Sequence, residues 1–381
     1  MIMAFLDYPT LRVIWWLLLG VLLIGFAIMD GFDLGVGILL PFVARSDGER
    51  RVAINTVGPV WEGNQVWLIL GAGAIFAAWP AIYAVAFSGF YLAMFVVLCA
   101  LILRPVGFKY RSKVACPRWR AIWDWALFLG GFVPALIFGV AVGNALLGAP
   151  FAFDETMRMS YHGSFFGLLT PFAVLSGLVS VAMLTMHGGA WLAAKAAGPV
   201  ADRARVATFV AAFLLIILFA AAGVWAANLE GYRISGAFAH DADSNPLGKI
   251  VVREAGAWLA NYRSMPWTMA APALGFVGAM LAGLTAWRRH AILAFLASGV
   301  AVFGVVATAG LSMFPFILPS SFEPASSLTV WDASSSRTTL LIMLVAVIVF
   351  LPVVLAYTAF VYRVLRGKVT ERQVEADHHS Y

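Results

Sequence analysis

Nine times along the chain a run of about 20 residues passes with almost no charge, the length an α-helix needs to cross the hydrocarbon core of a bilayer. The runs lie near Leu11 to Leu40, Val60 to Trp79, Ile82 to Leu103, Ile122 to Leu147, Ser164 to Met186, Val206 to Ala227, Pro266 to Trp287, Ala291 to Met313 and Thr338 to Tyr362. Charged residues make up 12% of the chain and hydrophobic ones 62%, where a soluble domain carries about twice that share of charge. The expected fold is an all-α integral membrane protein of about nine transmembrane helices, with one polytopic domain over residues 1–363, a long outer loop at 228–265 and a tail at 364–381.

An odd number of spans puts the termini on opposite sides. Of the 25 Lys and Arg, 18 fall in the segments that share a side with the C-terminus. Basic residues collect in cytoplasmic loops, so the N-terminus is expected in the periplasm and the C-terminus in the cytoplasm. This distribution in short loops also accounts for the net charge of +6 without nucleic acid as a partner. Trp15, Trp16, Trp79, Trp119, Trp123, Trp191, Trp267 and Trp287 fall at or near span ends, as an interfacial aromatic belt requires.

Within the first span, Met29-Asp30-Gly31-Phe32-Asp33-Leu34-Gly35-Val36-Gly37 sets two acids into an apolar environment. A carboxylate near the centre of a membrane helix costs roughly 2.5–3.5 kcal/mol, so such acids are partnered, wetted or functional. Three residues apart, Asp30 and Asp33 share a helix face. Gly31, Gly35 and Gly37 allow another helix backbone to approach closely. From Trp15 to Asp30 the helix rises roughly 22 Å, which puts both acids in the cytoplasmic half. The second span opens on that side with Trp61-Glu62-Gly63-Asn64-Gln65, the third closes there at Arg104-Pro105, and the fourth begins there with Trp123-Asp124-Trp125. Asp30, Asp33, Glu62, Asn64, Arg104 and Asp124 therefore stand at similar depth. Singly, Glu62 and Asp124 read as acids favoured in a first helical turn, and Arg104 as a snorkelling side chain. Together they read as a hydrated polar entry for protons, with Asp30, Asp33 and Glu62 as the proton-path candidates and Asn64, Arg104 and Asp124 in support.

Other chemistry is missing. Cys99 and Cys116 stand in no metal-binding or disulfide spacing. None of the six histidines reads as mid-span: His162 and His187 flank the fifth span, His290 lies in an inner turn, and His240, His378 and His379 lie in loops. A bis-His haem site cannot be built from these, and Met residues in apolar helices are generic filler. No metal site is expected, and His378-His379 is too weak a signal to make one. The stretch Ile250 to Leu259 in the long loop has the apolar period of a surface helix, and the tail is charged and expected to fray.

Several long motifs, in order, resemble subunit II of the bacterial cytochrome bd-type quinol oxidases, including the cyanide-insensitive branch. They are the Met29 to Gly37 stretch, Trp61-Glu62-Gly63-Asn64-Gln65-Val66-Trp67-Leu68, Phe76-Ala77-Ala78-Trp79-Pro80 and Phe87-Ser88-Gly89-Phe90-Tyr91, followed by Arg104-Pro105-Val106-Gly107-Phe108, Val252-Arg253-Glu254-Ala255-Gly256-Ala257-Trp258, Met313-Phe314-Pro315-Phe316 and Trp331-Asp332-Ala333. The resemblance implies a chain of the bacterial inner membrane that pairs with a haem-bearing subunit I. That subunit holds the b- and d-type haems, or b alone, and the quinol site. This chain would ligate no haem, stabilise the heterodimer and contribute polar residues to cytoplasmic proton uptake. Glu62 stands where family members often have Asp, one methylene longer at the same charge. The family also suggests a structural quinone or an oxygen path in this subunit, to which no residues are assigned, and leaves open whether a small single-helix subunit joins.

The implied reaction oxidises quinol near the outer face and reduces oxygen to water with protons from the cytoplasm. On residues alone, a proton-coupled secondary transporter competes, because intramembrane acids and glycine-rich helices suit it equally. A purely structural assembly subunit is the third reading, under which the acids are replaceable. The orientation is testable: reporter fusions at Lys113 and Asp243 should report cytoplasm and exterior respectively, and the reverse pattern would move the acid cluster to the wrong face.

Overall fold

The computed structural model describes residues 6–236 and 238–376. Fourteen α-helices are found among them: α1 (Tyr8–Val43), α2 (Asp47–Val57), α3 (Trp61–Ala78), α4 (Pro80–Gly89), α5 (Tyr91–Leu101), α6 (Leu103–Tyr110), α7 (Pro117–Leu147), α8 (Pro171–Lys195), α9 (Pro199–Asn228), α10 (Ala260–Ser264), α11 (Ala270–Trp287), α12 (Ala291–Met313), α13 (Arg337–Val364) and α14 (Glu371–Ala376). Eight segments among the described residues are long and apolar enough to cross a membrane. They coincide with eight of the nine expected spans. The ninth, α3, occupies its expected place, but Glu62, Asn64 and Gln65 in its first turns dilute its hydropathy. The third expected span is a chain of α4, α5 and α6, interrupted at Phe90 and Ile102.

Local chemistry sets the ends. Asp7 caps α1 by accepting from the Thr10 amide at 3.0 Å, with Pro9 in the first turn. Ser46 and Glu49 form a reciprocal capping box on α2. Thr170 caps α8, with Pro171 at its first position. This cap places α8 seven residues later than the apolar run suggested and carries it on to Lys195, so His187 lies inside the helix instead of beyond it.

Helix α1 is central, packed against α7, α8 and α3, while α9, α11 and α12 gather around α8. All the span-to-span connections that carry strands lie at the Tyr8 end of the bundle. There, β1 (Phe151–Phe153) pairs with β2 (Met159–Tyr161), β3 (Glu230–Ser235) with β4 (Ile250–Ala255), and β5 (Phe316–Leu318) with β6 (Leu328–Thr329), each antiparallel. The helix expected from Ile250 is thus a strand. The β-branched run Ile250-Val251-Val252 suits a pleated ladder, six residue pairs hold it to β3, and Gly256 at φ 71° ends it before a short 3₁₀ turn at Ala257–Leu259.

Not every tryptophan serves the interface. Trp15, Trp79 and Trp191 are buried, and their indole N–H groups donate to the carbonyls of Leu340, Val330 and Thr56. Trp267 and Trp287 stay exposed, as a belt requires. The tail also departs from expectation, because residues 365–376 dock on the Val43 end. His378 and His379 lie outside the described residues.

Two buried cations bind the loops at the Tyr8 end together. Arg12 donates from Nε to Ser334 Oγ at 2.7 Å and from Nη1 to the His240 carbonyl at 2.7 Å, and it lies over the Tyr8 ring. Lys249 Nζ sits 2.7 Å from Asp332 Oδ2 and also donates to the carbonyls of Pro246 and Ser327. Burial pushes the Lys249 ammonium below the usual lysine range, and the Asp332 carboxylate opposes that shift. Removing one partner of such a pair strands the other, at a cost of roughly 3–5 kcal/mol. Lys249→Met should therefore lower thermal stability and deprotect the β3–β4 hairpin in hydrogen exchange, whereas adding Asp332→Leu should restore much of the loss. A single variant as stable as the parent would show that the pair does not hold this hairpin.

Candidate functional site

The site begins with the small residues of α1. A Cβ at Gly35 would fall on the Leu184 carbonyl, and one at Gly188 on the Gly35 backbone. On the other flank, a Cβ at Gly131 would meet the Leu34 carbonyl. Backbone therefore touches backbone on both sides: α8 at Gly35 and α7 at Gly37 and Gly131. Held this way, α1 turns Asp30 and Asp33 together toward α3 and α6.

Both acids are fully buried. Asp30 receives a fork from Arg104 of α6, with Nη2 2.6 Å from Oδ1 and Nη1 3.0 Å from Oδ2. Asp33 Oδ2 accepts from Asn64 Nδ2 of α3 at 2.9 Å and stands 3.8 Å from Arg104 Nη2. Asp33 Oδ1 is buried with no hydrogen-bond partner among the described residues. Asn64 Oδ1 in turn accepts from the Tyr362 hydroxyl of α13 at 2.8 Å. Two carboxylates thus face one guanidinium, with an amide and a phenol completing the chain. Four of the six residues singled out in the sequence, Asp30, Asp33, Asn64 and Arg104, meet here.

Glu62 and Asp124 do not. Glu62 precedes Asn64 by two residues, a step that points their side chains to different faces of α3. It is exposed, at the head of an outward stripe with Val66, Ile69 and Phe76, and makes no ion pair or hydrogen bond among the described residues. Asp124 belongs to a separate cluster toward the Val43 end. Arg111 donates to it through Nε at 2.5 Å and Arg50 through Nη1 at 2.7 Å. Arg111 and Arg120 also hold Asp47, at 3.0 and 2.6 Å. These pairs tie α2 to α7 and to the turn after α6, beyond what a first-turn dipole contact supplies.

Tyr362 carried only a weak signal in the sequence, a tyrosine near the end of an apolar run. Arg50, Arg111 and Asp47 read as loop charges. His187 was misplaced by the late start of α8. It is buried between α1 and α12, with Nδ1 2.7 Å from Ser298 Oγ and Nε2 2.9 Å from the Ile28 carbonyl, and its ring stacks on Phe295. Both ring nitrogens are engaged by protein atoms. Among the described residues no group of three or more His, Cys, Asp or Glu could hold a metal ion.

Residues 11–365 match the family described as cytochrome bd terminal oxidase subunit II. The chain belongs to that family. It is 50% identical over 376 residues to cytochrome bd-I ubiquinol oxidase subunit 2 of Escherichia coli (strain K12), covering 98% of this chain and 99% of that one. It is 48% identical to a probable cytochrome oxidase subunit 2 of Haemophilus influenzae, with coverage of 98% and 99%, and 31% identical to cytochrome bd ubiquinol oxidase subunit 2 of Bacillus subtilis, with coverage of 96% and 98%. The bd oxidase of Geobacillus thermodenitrificans shares the fold, with a TM-score of 0.62 at 18% identity over 93% of this chain and 98% of that one.

As a bd-oxidase subunit II, the chain is one part of an oxidoreductase complex of the bacterial inner membrane, in which a subunit I accompanies it and haem and quinol take part. It is not a complete active site by itself. Membership also removes the secondary-transporter reading. Within this subunit the Arg104 fork is a buried pair open to single-residue damage. Arg104→Gln should cost roughly 3–5 kcal/mol by leaving Asp30 buried and unpaired. Arg104→Lys should recover only part of that, because a lysine cannot reproduce the bidentate fork. Unfolding in detergent, followed by circular dichroism, ranks the three forms, and equal stability of all three would refute the pairing.

Proposed function

We propose that this chain is the non-haem subunit of the oxidase, which supports the haem-bearing subunit I and delivers protons from the cytoplasm toward the site where oxygen is reduced. The observation that carries this reading is the charge count at the buried cluster. Asp30 and Asp33 bring two negative charges against the one positive charge of Arg104, and the fork is spent on Asp30. A proton carried on Asp33 Oδ1 closes the balance, and that oxygen has no hydrogen-bond partner among the described residues. Asn64 does not pass protons. It fixes the Asp33 carboxyl, and Tyr362 fixes Asn64.

Glu62 fits the same reading from another direction. A carboxylate on the exposed face of an apolar helix calls for a partner or water. The stripe it heads, together with α5 and the sparsely covered α13, is the surface we assign to subunit I, so that Glu62 faces the junction of the two subunits. The haems of the complex carry electrons from quinol to oxygen. We place them in subunit I, because the one histidine within a span among the described residues has both nitrogens occupied. Orientation follows the basic residues, with the Val43 end in the cytoplasm.

A second reading, assembly alone, draws on the Asp30–Arg104 fork, which is a structural contact whatever Asp33 does. Asp33→Asn and Glu62→Gln separate the two, since each keeps volume and hydrogen-bonding reach while removing the titratable proton. In complexes with full haem content, each should slow quinol-driven oxygen uptake by about a hundredfold or more, the range in which general acid–base groups contribute. Full oxygen uptake and charge movement in both variants would sink the proton reading and leave the structural one.

A further inference from the structure

Helix α13 is poorly held along its length. Of its most apolar 18-residue window 11% is buried, against 61% in α8. Its first turns are fixed by the Ser336 cap, by the Trp15 indole donating to the Leu340 carbonyl at 2.8 Å, and by Leu340 and Leu344 in the core. Between Val345 and Phe360 its side chains are largely exposed. Yet its far end must place the Tyr362 hydroxyl 2.8 Å from Asn64 Oδ1.

The chain that follows supplies the missing hold. Lys195, at the end of α8, donates from Nζ to the carbonyls of Leu365 and Gly367 at 2.6 and 2.9 Å. Val369 then bridges to the turn between α8 and α9: its amide donates to the Lys195 carbonyl at 2.7 Å, and its carbonyl accepts from the Ala197 amide at 3.1 Å. Thr370 and Gln373 cap α14 reciprocally. Val374 of α14 is 3% exposed, within a core that includes Val52 and Val57 of α2, and the Val374 carbonyl accepts from Arg51 at 3.3 Å. Three hydrogen-bonded contacts, at Lys195, Val369 and Arg51, and one apolar anchor therefore fasten a twelve-residue segment to α2 and α8, the two elements flanking the end of α1.

We infer that residues 365–376 form a clasp which fixes the end of α13 and thereby sets Tyr362 on Asn64, making Tyr362 a positioning residue and the tail its anchor. Tyr362 donates to the amide oxygen, so the amide nitrogen is turned to Asp33. Releasing the tail frees the last turns of α13 and removes that constraint. For turnover the inference rests on the proton reading above; for the mechanics of α13 it does not.

The test uses the assembled oxidase. Val374→Asp places a carboxylate in the apolar anchor and should undock α14, and Lys195→Met removes the two side-chain bonds to the tail while leaving the Val369 backbone bridge. Either should raise hydrogen exchange in the last two turns of α13 by about tenfold. Either should also lower quinol-driven oxygen uptake to the level of Tyr362→Phe, which keeps the ring against Trp191 and loses only the hydroxyl. Combined with Tyr362→Phe, neither should lower it further, the signature of residues acting through one contact. Unchanged exchange in α13 after α14 has undocked would overturn the clasp, and additive losses in the double variants would overturn its action through Tyr362. Raised exchange with full oxygen uptake in Tyr362→Phe would confirm the clasp and count against the proton reading at Asn64.

Discussion

The close approach of α1 to its two neighbours is the constraint on which the remaining geometry depends. Gly35 against Gly188 and Gly37 against Gly131 let three helices meet backbone to backbone, where lipid offers no hydrophobic drive for association and packing has to supply it. The contacts fix the rotation of α1. Its polar face then has one direction left to point, toward α3 and α6, and Arg104 and Asn64 are waiting there. A side chain at Gly35 would push the helices apart and turn the acids out of reach of both.

Around that junction the charged residues separate into three tasks. Asp30 and Arg104 neutralise each other with good geometry. Asp47, Asp124, Arg50, Arg111 and Arg120 knit the short helix α2 to α7 at the Val43 end, and Arg12 and Lys249 gather the hairpins at the Tyr8 end. Asp33 fits none of these. It is buried, held on one oxygen by an amide and without a hydrogen-bond partner on the other among the described residues, which is what supports the proton role proposed for it.

The helical architecture and the grouping of Asp30 with Asp33 were legible in the chain, since hydropathy and a three-residue spacing are local properties. The shared level of Asp30, Asp33, Asn64 and Arg104 was legible too, because helix rise is constant, whereas Asp124 lies nearer the Val43 end. Azimuth was not. Glu62 and Asn64 share a level on α3 yet point to different faces, and only the packing of α3 against α1 decides which faces inward. His187 was misjudged for a related reason: the Thr170 cap and Pro171, and not the apolar run, start α8. Ile250 to Leu259 failed as a helix because its ambiguous period was settled by a pairing strand twenty residues away.

By itself the sequence determined that the chain lies in a membrane as a bundle of apolar helices, which loops carry the positive charge and that two carboxylates share one face of the first helix. These follow from residue chemistry and the fixed pitch of a helix. The tertiary structure alone decided that Arg104 takes Asp30 and leaves Asp33 to Asn64, that Asp124 serves a different cluster, that Glu62 looks outward, and that the tail returns to dock on α2 and α8. Each of these is a contact between residues far apart in the chain, set by how neighbouring helices rotate against one another, and no local pattern encodes that rotation.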